Sequence, residues 1–238
     1  MIRYFLLFAC ALFLVVIVLP LVMKVAVRWG FIDRPSQRKV HLKPLPTLGG
    51  LAIYLGCIGA LVVFDRGFIA QFVSILLGAT FVSFLGVWDD YRGLKPIVKF
   101  AGQVIIVGAM MWAGVKIGFL QNEVLNGIVT ILWIVTITNA LNLLDNMDGL
   151  SGGVAVVVST FFLLLAITSR QYLVASLSSV LLGACLGFLF YNFNPASIFM
   201  GDSGSLFIGF FLAILGIKLT GFSGAALQEF EARWLKLP

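Results

Sequence analysis

Residues 4–23 read YFLLFACALFLVVIVLPLVM, a run without a single charged side chain. A helix of about 20 apolar residues crosses the hydrocarbon core of a bilayer. The run is too long for the apolar region of a signal peptide, lacks a clear small-residue cleavage site, and is followed by further apolar segments. The sequence therefore predicts a transmembrane helix here.

The rest of the chain has the same character. Hydrophobic residues make up 61% and charged residues 11% of the 238 residues, and mean hydropathy is +1.09. Soluble domains are about 25% charged. We expect an all-α polytopic membrane protein, with one transmembrane domain over residues 1–221 and a short amphipathic tail over 222–238. The roughly eight candidate spans are 4–23, 48–64, 68–87, 99–118, 125–143, 153–168, 172–191 and 205–220.

Lysine and arginine concentrate in two of the predicted connecting loops. The first loop carries Lys24, Arg28, Arg34, Arg38, Lys39 and Lys43, and the third carries Arg92 and Lys95. Because basic loops stay in the cytoplasm, we expect a periplasmic N-terminus and cytoplasmic segments 24–47, 88–98, 144–152 and 192–204. The net charge of +6 then reflects loop orientation and contact with anionic headgroups or phosphates, and does not indicate nucleic-acid binding.

The acidic residues are distributed just as unevenly. Six of the ten fall in the four predicted cytoplasmic segments, namely Asp33, Asp89, Asp90, Asp145, Asp148 and Asp202. The positive-inside rule concerns lysine and arginine and places little constraint on aspartate. Their one-sided distribution therefore suggests a functional site on the inner face.

Residues 139–153 read NALNLLDNMDGLSGG. If the preceding helix continues through them, Asn139, Asn142 and Asn146 form a polar stripe, and Asp145 and Asp148 share a face. Ionisable residues at such a position are a functional-site hypothesis by default. The alternative is a solvated helix end with a turn at the Asp-Gly step.

Residues 192–205 read NFNPASIFMGDSGS and lead into the last predicted span. Asp202, or one of the serines after it, stands where a helix N-cap is expected. Capping alone would explain it. The same position would also suit phosphate binding at a helix N-terminus, and the carboxylate is a hard oxygen ligand for Mg²⁺.

Residues 86–103 read GVWDDYRGLKPIVKFAGQ. Asp89 and Asp90 repel each other unless a cation or water lies between them, so a metal ligand or a base is one interpretation. Lys99 and Gln103 are four residues apart and share a helix face. A wet loop with a snorkelling lysine is the alternative.

Residues 33–50 read DRPSQRKVHLKPLPTLGG. Arg38 and Lys39 would attract phosphates, although membrane topology alone would also place basic residues here. His41 is the only histidine. A lone histidine is more often structural than catalytic, even though its pKa suits proton transfer.

Taken in order, these four segments resemble the polyprenyl-phosphate N-acetylhexosamine-1-phosphate transferase family. The Asp-Arg-Pro, Arg-Lys and His pattern of residues 33–41 is closer to the UDP-N-acetylglucosamine branch than to the muramoyl-pentapeptide branch. The resemblance implies transfer of a sugar-1-phosphate, most simply N-acetylglucosamine-1-phosphate, from a UDP-sugar to undecaprenyl phosphate. UMP is released, and the product serves cell-envelope glycan synthesis at the bacterial inner membrane.

The resemblance also implies roles for individual residues. Asp202 would be a ligand of Mg²⁺, with Mn²⁺ as an alternative ion. Asp89, Asp90 and Lys99 would meet the lipid phosphate, with Asp89 as a candidate base. The nucleotide-sugar site and the diphosphate would be lined by Asp145, Asp148, Asn139, Asn142, Asn192, Arg38, Lys39 and His41. The expected partners are the two substrates and membrane lipids, and a homodimer is compatible with the resemblance.

The sequence departs from the family pattern at its end. Family members usually carry a further histidine-rich cytoplasmic loop and more spans, and no such loop follows residue 205 here. A fragment, a short relative or an inactive membrane scaffold therefore stays open. An ion-coupled transporter is less favoured, because transporters place such groups near the bilayer midplane whereas these aspartates lie at one face.

Overall fold

A computed structural model describes residues 1–33, 44–64 and 69–219, with no side-chain description for 69–72. Within these ranges the chain forms eight α-helices and one two-stranded ribbon. The helices are α1 Ile2–Trp29, α2 Gly49–Phe64, α3 Ile69–Arg92, α4 Pro96–Trp112, α5 Glu123–Leu144, α6 Leu150–Thr168, α7 Tyr172–Asn192 and α8 Asp202–Lys218. The strands β1 Ile32–Asp33 and β2 Leu45–Pro46 pair antiparallel, with Ile32 opposite Pro46. The predicted tail and residues 34–43 of the predicted first loop lie outside the described residues.

Several helices are long and apolar enough to cross a membrane. Five meet that condition by length and composition: Ile2–Trp29, Val73–Arg92, Glu123–Leu144, Leu150–Thr168 and Tyr172–Asn192. Two more apolar helices, α2 and α4, are shorter. A polytopic membrane protein is therefore confirmed, and the eight spans and the sides of their loops stay predictions.

Helix α8 runs through the middle of the bundle. Every residue from Ser203 to Ile217 is buried, and the helix packs mainly against α3 and α5, with further contacts to α2. A helix that is apolar on all sides belongs in a core, and Phe207, Phe210 and Phe211 are among its largest fully buried side chains. A second layer is made by α1, α7 and α6. Asp202, the first residue of α8, is thus carried to the centre of one bundle end.

The beginnings of α2 and α8 meet at that end. The N–H groups of Gly49 and Gly50 donate to the carbonyl oxygens of Phe199 (3.0 Å) and Met200 (2.8 Å), so the segment before α8 satisfies the first donors of α2. A Cβ atom on Gly50 would collide with the backbone of Gly204. Glycine at positions 50 and 204 lets the beginnings of α2 and α8 approach this closely.

Two sequence-based interpretations are decided by the helix ends: the polar stripe on a continuing helix after residue 143 was wrong, and so was the loop position of Asp89 and Asp90. Helix α5 ends at Leu144 and α6 begins at Leu150, so Asp145, Asn146 and Asp148 lie in a connection and share no continuing helical face with Asn139. The chain turns here because Gly149 adopts φ +73°, a left-handed conformation that glycine reaches without strain. Helix α3 extends to Arg92, so Asp89 and Asp90 lie in its last turn and not in a loop.

Candidate active site

The carboxylate of Asp90 joins α3 to the start of α8. Its Oδ1 accepts from the N–H of Asp202 (2.8 Å) and its Oδ2 from the N–H of Ser203 (3.1 Å). The residue at the N-cap position is Gly201, and no side chain local to α8 caps the helix. The prediction that Asp202 or a following serine caps this helix was therefore wrong, because a residue 112 positions earlier in the chain does so. Gly201 has φ +74°, and a Cβ atom there would approach Asp90 Oδ2 to 2.8 Å.

Lys99 connects three other helices at the same place. Its Nζ lies 2.9 Å from Asp89 Oδ2 on α3 and 2.8 Å from Asp202 Oδ2 on α8. The ammonium also donates to Asn142 Oδ1 on α5 at 2.9 Å. The side chains of Lys99 and Asp89 are only 13% and 10% exposed, against 31% for Asp202. Screening by water is therefore weak at Lys99 and Asp89, and Asp202 is the carboxylate that faces solvent.

The remaining oxygens of these carboxylates also have partners. Asn142 Nδ2 donates to Asp202 Oδ1 (2.6 Å) and to Ser205 Oγ (2.8 Å). Asp89 Oδ1 accepts from the backbone N–H of Leu94 (2.7 Å), which closes the turn between α3 and α4. Ser205 lies three residues after Asp202 and contacts Asn142, a partner that sequence analysis missed. The only local signal was its position in the first turn of α8.

Asp145 lies in the α5–α6 connection, beside this cluster. Burial raises the pKa of its carboxyl to about 8, and the negative charges of Asp202 and Asp90 contribute in the same direction. An acid with so high a pKa binds a proton or a cation readily at neutral pH. Neighbouring positive charge would favour the ionised form of Asp145.

Asp148 and Asn192 tie two neighbouring connections together. Asp148 Oδ2 accepts from the N–H of Ala196 at 3.0 Å. Asn192 is buried, accepts from the N–H of Gly149 (3.0 Å) and donates to the carbonyl of Ile198 (2.9 Å). These bonds hold the loop before α8 against the loop before α6. Their predicted contact with a nucleotide-sugar stays a prediction.

Asn139 lies one turn deeper in the bundle than Asn142. Its Nδ2 donates to Gln103 Oε1 (2.6 Å) and to the carbonyl of Val135 (2.8 Å), and Gln103 Nε2 approaches Asn139 Oδ1 to 3.4 Å. The predicted shared face of Lys99 and Gln103 is present on α4. Asn139 was expected to bind substrate, and in the structure its amide is engaged by a neighbouring helix.

The acidic site offers oxygen donors suited to magnesium. Among the described residues, no group of three or more His, Cys, Asp or Glu side chains is arranged to hold a metal. Mg²⁺, however, keeps several waters and is usually held by one or two carboxylates together with substrate phosphates. Asp202, which faces solvent, and Asp145, which interacts with it electrostatically, supply carboxylate oxygens of that kind.

The structure thus brings together six of the twelve predicted site residues. Asp89, Asp90, Lys99, Asn142 and Asp202 form one connected cluster, and Asp145 interacts with it electrostatically. Three predicted residues, Arg38, Lys39 and His41, lie outside the described part of the chain.

The chain is similar to known proteins over most of its length. The profile of glycosyl transferase family 4 matches residues 72–220, a range that contains every member of the cluster. The chain is 38% identical, over 91% of its length, to a probable undecaprenyl-phosphate N-acetylglucosaminyl 1-phosphate transferase of Bacillus subtilis. It is 34% identical, over 82% of its length, to a decaprenyl-phosphate N-acetylglucosaminephosphotransferase of Mycobacterium tuberculosis.

A phospho-N-acetylmuramoyl-pentapeptide-transferase of Bacillus cytotoxicus is 33% identical over 81% of the chain. The predicted preference for the N-acetylglucosamine branch is confirmed by the higher identity and coverage of the Bacillus subtilis relative. The chain spans 63% of the Bacillus subtilis relative, 55% of the mycobacterial one and 67% of the Bacillus cytotoxicus one. With matches to the profile and to these relatives, the chain belongs to glycosyl transferase family 4.

Proposed function

We propose that this protein transfers N-acetylglucosamine-1-phosphate from UDP-N-acetylglucosamine to undecaprenyl phosphate and releases UMP. The observation that carries the proposal is the position of Lys99 Nζ, within 2.9 Å of carboxylates on both α3 and α8. A cation held at the junction of several helix ends is suited to a reaction between two phosphorylated substrates. The relatives from Bacillus subtilis and Mycobacterium tuberculosis are transferases named for a polyprenyl phosphate and N-acetylglucosamine, and these names suggest the substrate classes.

The reaction needs little covalent chemistry from the protein. An oxygen of the lipid phosphate forms a bond to the sugar-bearing phosphorus, the bond from that phosphorus to the UMP oxygen breaks, and UMP leaves with the electron pair. The attacking oxygen is already ionised near pH 7, so a general base contributes little. Such transfers depend mainly on positioning and electrostatic stabilisation.

The residues divide this work by location. Lys99 would contact a phosphate oxygen that displaces one of its present carboxylate partners, and Asn142 would hold Asp202 in place through their 2.6 Å bond. Asp89 accepts from Leu94 and pairs with Lys99, which favours an orienting role over that of a base. Arg38, Lys39 and His41 are proposed to neutralise the diphosphate.

Magnesium is the proposed cofactor, and Mn²⁺ is expected to substitute for it. Asp202, with Asp145 nearby, would hold the ion. When bound, it would neutralise phosphate charge and stabilise the charge that develops on the departing UMP. The proposal rests on the surplus of carboxylates over ammonium groups in the described cluster. Because these carboxylates would repel a phosphate, a phosphate could bind there only with added positive charge.

The test uses the full chain in detergent with undecaprenyl phosphate, UDP-N-acetylglucosamine and Mg²⁺, and measures UMP release. We expect UMP only when all three are present, loss of activity with a chelator, and recovery with Mg²⁺ or Mn²⁺. Asp202→Asn should abolish turnover, whereas Glu123→Gln, whose side chain is 74% exposed outside this site, should not. Absence of UMP with both this donor and UDP-N-acetylmuramoyl-pentapeptide would contradict the proposal and favour a non-catalytic scaffold.

We further propose that the site faces the cytoplasm of the bacterial inner membrane, with eight spans and a periplasmic N-terminus. Lys95 and Lys116 flank opposite ends of α4 and test this sidedness. In a variant without Cys10, Cys57 and Cys185, single cysteines at positions 95 and 116 would be treated with a membrane-impermeant thiol reagent in intact cells. Only the cysteine at 116 should react, and the reverse result would invert the topology.

A further inference from the structure

Helix α4 carries Lys99 into the site but is itself weakly held. It packs chiefly against α3 and α5, and among its residues only Gln103, Val107 and Met110 are buried. Its other face is open, with Ile105 72% exposed. The direction of the Lys99 side chain therefore depends on a few contacts that fix the rotation of α4.

Gln103 and Asn139 make the most specific of these contacts. Gln103 is 2% exposed, and its amide oxygen accepts from Asn139 Nδ2 at 2.6 Å. The same Nδ2 donates to the carbonyl of Val135 one turn earlier on α5. Both groups of the Gln103 amide thus face the Asn139 amide, and the Asn139 amide is itself fixed to its own helix.

This amide pair lies directly beneath the site. Gln103 follows Lys99 by four residues on α4, and Asn139 precedes Asn142 by three residues on α5, so each pair shares a helix face. The outer contact joins Lys99 Nζ to Asn142 Oδ1 at 2.9 Å. The two helices are therefore joined by two successive polar contacts, and the inner one involves neither the carboxylates nor the solvent-facing end.

Packing of apolar side chains gives little preference for one rotation of a helix in lipid, because lipid chains are equally apolar. A hydrogen bond between buried amides is directional, and breaking it leaves polar groups unsatisfied. We propose that Gln103 and Asn139 are positioning residues that hold α4 in the rotation at which Lys99 reaches Asp89 and Asp202. The catalytic part of this inference rests on the proposed function.

The structural part can be tested without any assay of activity. Lys95, the residue before α4, is exposed, and Lys99, in the first turn of α4, is largely buried. Acetic anhydride labelling followed by mass spectrometry therefore gives a ratio with its own internal reference. We expect Lys99 to react much more slowly than Lys95 in the unmodified protein. Gln103→Leu and Asn139→Leu should each raise the Lys99/Lys95 ratio several-fold, and Ile105→Ala should leave it unchanged.

A double variant that exchanges the two amides, Gln103→Asn with Asn139→Gln, keeps one long and one short amide across the interface. It should return the Lys99/Lys95 labelling ratio towards that of the unmodified protein. If a leucine variant does not fold, the ratio of this exchange variant is the measurement that tests the inference. An unchanged ratio in the leucine variants, or a failure of the exchange to restore it, would overturn the inference.

The kinetic consequence separates positioning from substrate binding. A displaced Lys99 should lower kcat for UMP release by about 10- to 100-fold with little change in either KM, and the exchange variant should recover most of kcat. A rise in KM for the UDP-sugar without rescue by the exchange would instead make Asn139 a substrate ligand and overturn the inference. If the unmodified protein releases no UMP, the proposed function fails, and the labelling ratios still decide whether this pair holds Lys99.

Discussion

Asp90 on α3 and Asp202 on α8 are joined by a 2.8 Å hydrogen bond from the Asp202 N–H to Asp90 Oδ1. The second Asp90 oxygen accepts from Ser203, so both oxygens are directed at the first turn of α8. Asp90 thereby fixes the height at which the Asp202 side chain emerges towards Lys99. The two aspartates thus have different roles: Asp90 holds the first turn of α8, and the Asp202 side chain faces the site.

Removing this interhelix cap should destabilise the protein. Asp90→Ala leaves two backbone N–H groups without their acceptor, and loss of an N-cap costs about 0.5–2 kcal/mol. Asp90→Asn keeps one acceptor oxygen and should lose less. Thermal unfolding in detergent would measure these differences. We expect the Tm to be lowest for Asp90→Ala, intermediate for Asp90→Asn and highest for the unmodified protein. Equal stability of Asp90→Ala and the unmodified protein would show that these two hydrogen bonds contribute nothing measurable.

Replacing Lys99 should lower the rate of UMP release because the site loses its positive charge. Lys99→Met leaves Asp89 and Asp202 without the ammonium between them, and we expect UMP release to fall by about 100-fold or more. Lys99→Arg should not restore it, because a planar guanidinium does not reproduce a compact ammonium between three acceptors. Lys95→Met, at the exposed N-cap position of the same helix, is the matched control. Full activity of Lys99→Met would exclude a role for this cation in turnover.

Asp145 should make stability depend on pH. Its pKa of about 8, against an ordinary 3.8, means that the folded protein retains a proton that the unfolded chain releases. The free energy of unfolding should therefore fall as pH rises from about 4 to about 8 and level off above that. Asp145→Asn cannot ionise, so its stability relative to the unmodified protein should increase across this range.

Unfolding of both proteins at about pH 5 and about pH 9, with metal chelated, would measure this difference. Glu123→Gln, at a carboxyl 74% exposed outside the site, is the control. An Asp145→Asn variant that shows the same pH dependence as the unmodified protein would contradict the raised pKa.

The close approach of α2 and α8 should make Gly50 sensitive to substitution. A Cβ atom there would collide with Gly204 backbone atoms, and overpacking of this kind costs about 1–3 kcal/mol or more. Gly108 on α4 has open space around its Cβ position, so Gly108→Ala should stabilise the helix by about 0.5–1 kcal/mol. We expect Gly50→Ala to lower Tm and Gly108→Ala to raise it. An unchanged Tm for Gly50→Ala would show that α2 and α8 can move apart without loss of stability.

The sequence was sufficient for the helical organisation because hydropathy is a local property. Each described helix overlaps one of the predicted spans, and the apolar runs alone located them. The predicted span 125–143 ends within one residue of α5, and only the polar stripe on a continuing helix, suggested by the regular spacing of the asparagines, was wrong. The competing signal, the Asp148–Gly149 step, was recognised in the sequence, and the left-handed Gly149 shows that it prevailed.

The sequence by itself determined a membrane-embedded helical chain and the acidic and amide residues available to a site at one end of it. Tertiary structure alone decided their partners: Asp90 caps α8, Lys99 reaches a carboxylate 103 residues away, and Gln103 meets Asn139. The physical reason is that a span is set by the free energy of transferring its side chains into lipid, which is a sum over the residues of that segment alone. A hydrogen bond between helices depends on their mutual height and rotation, which emerge only when the whole bundle packs.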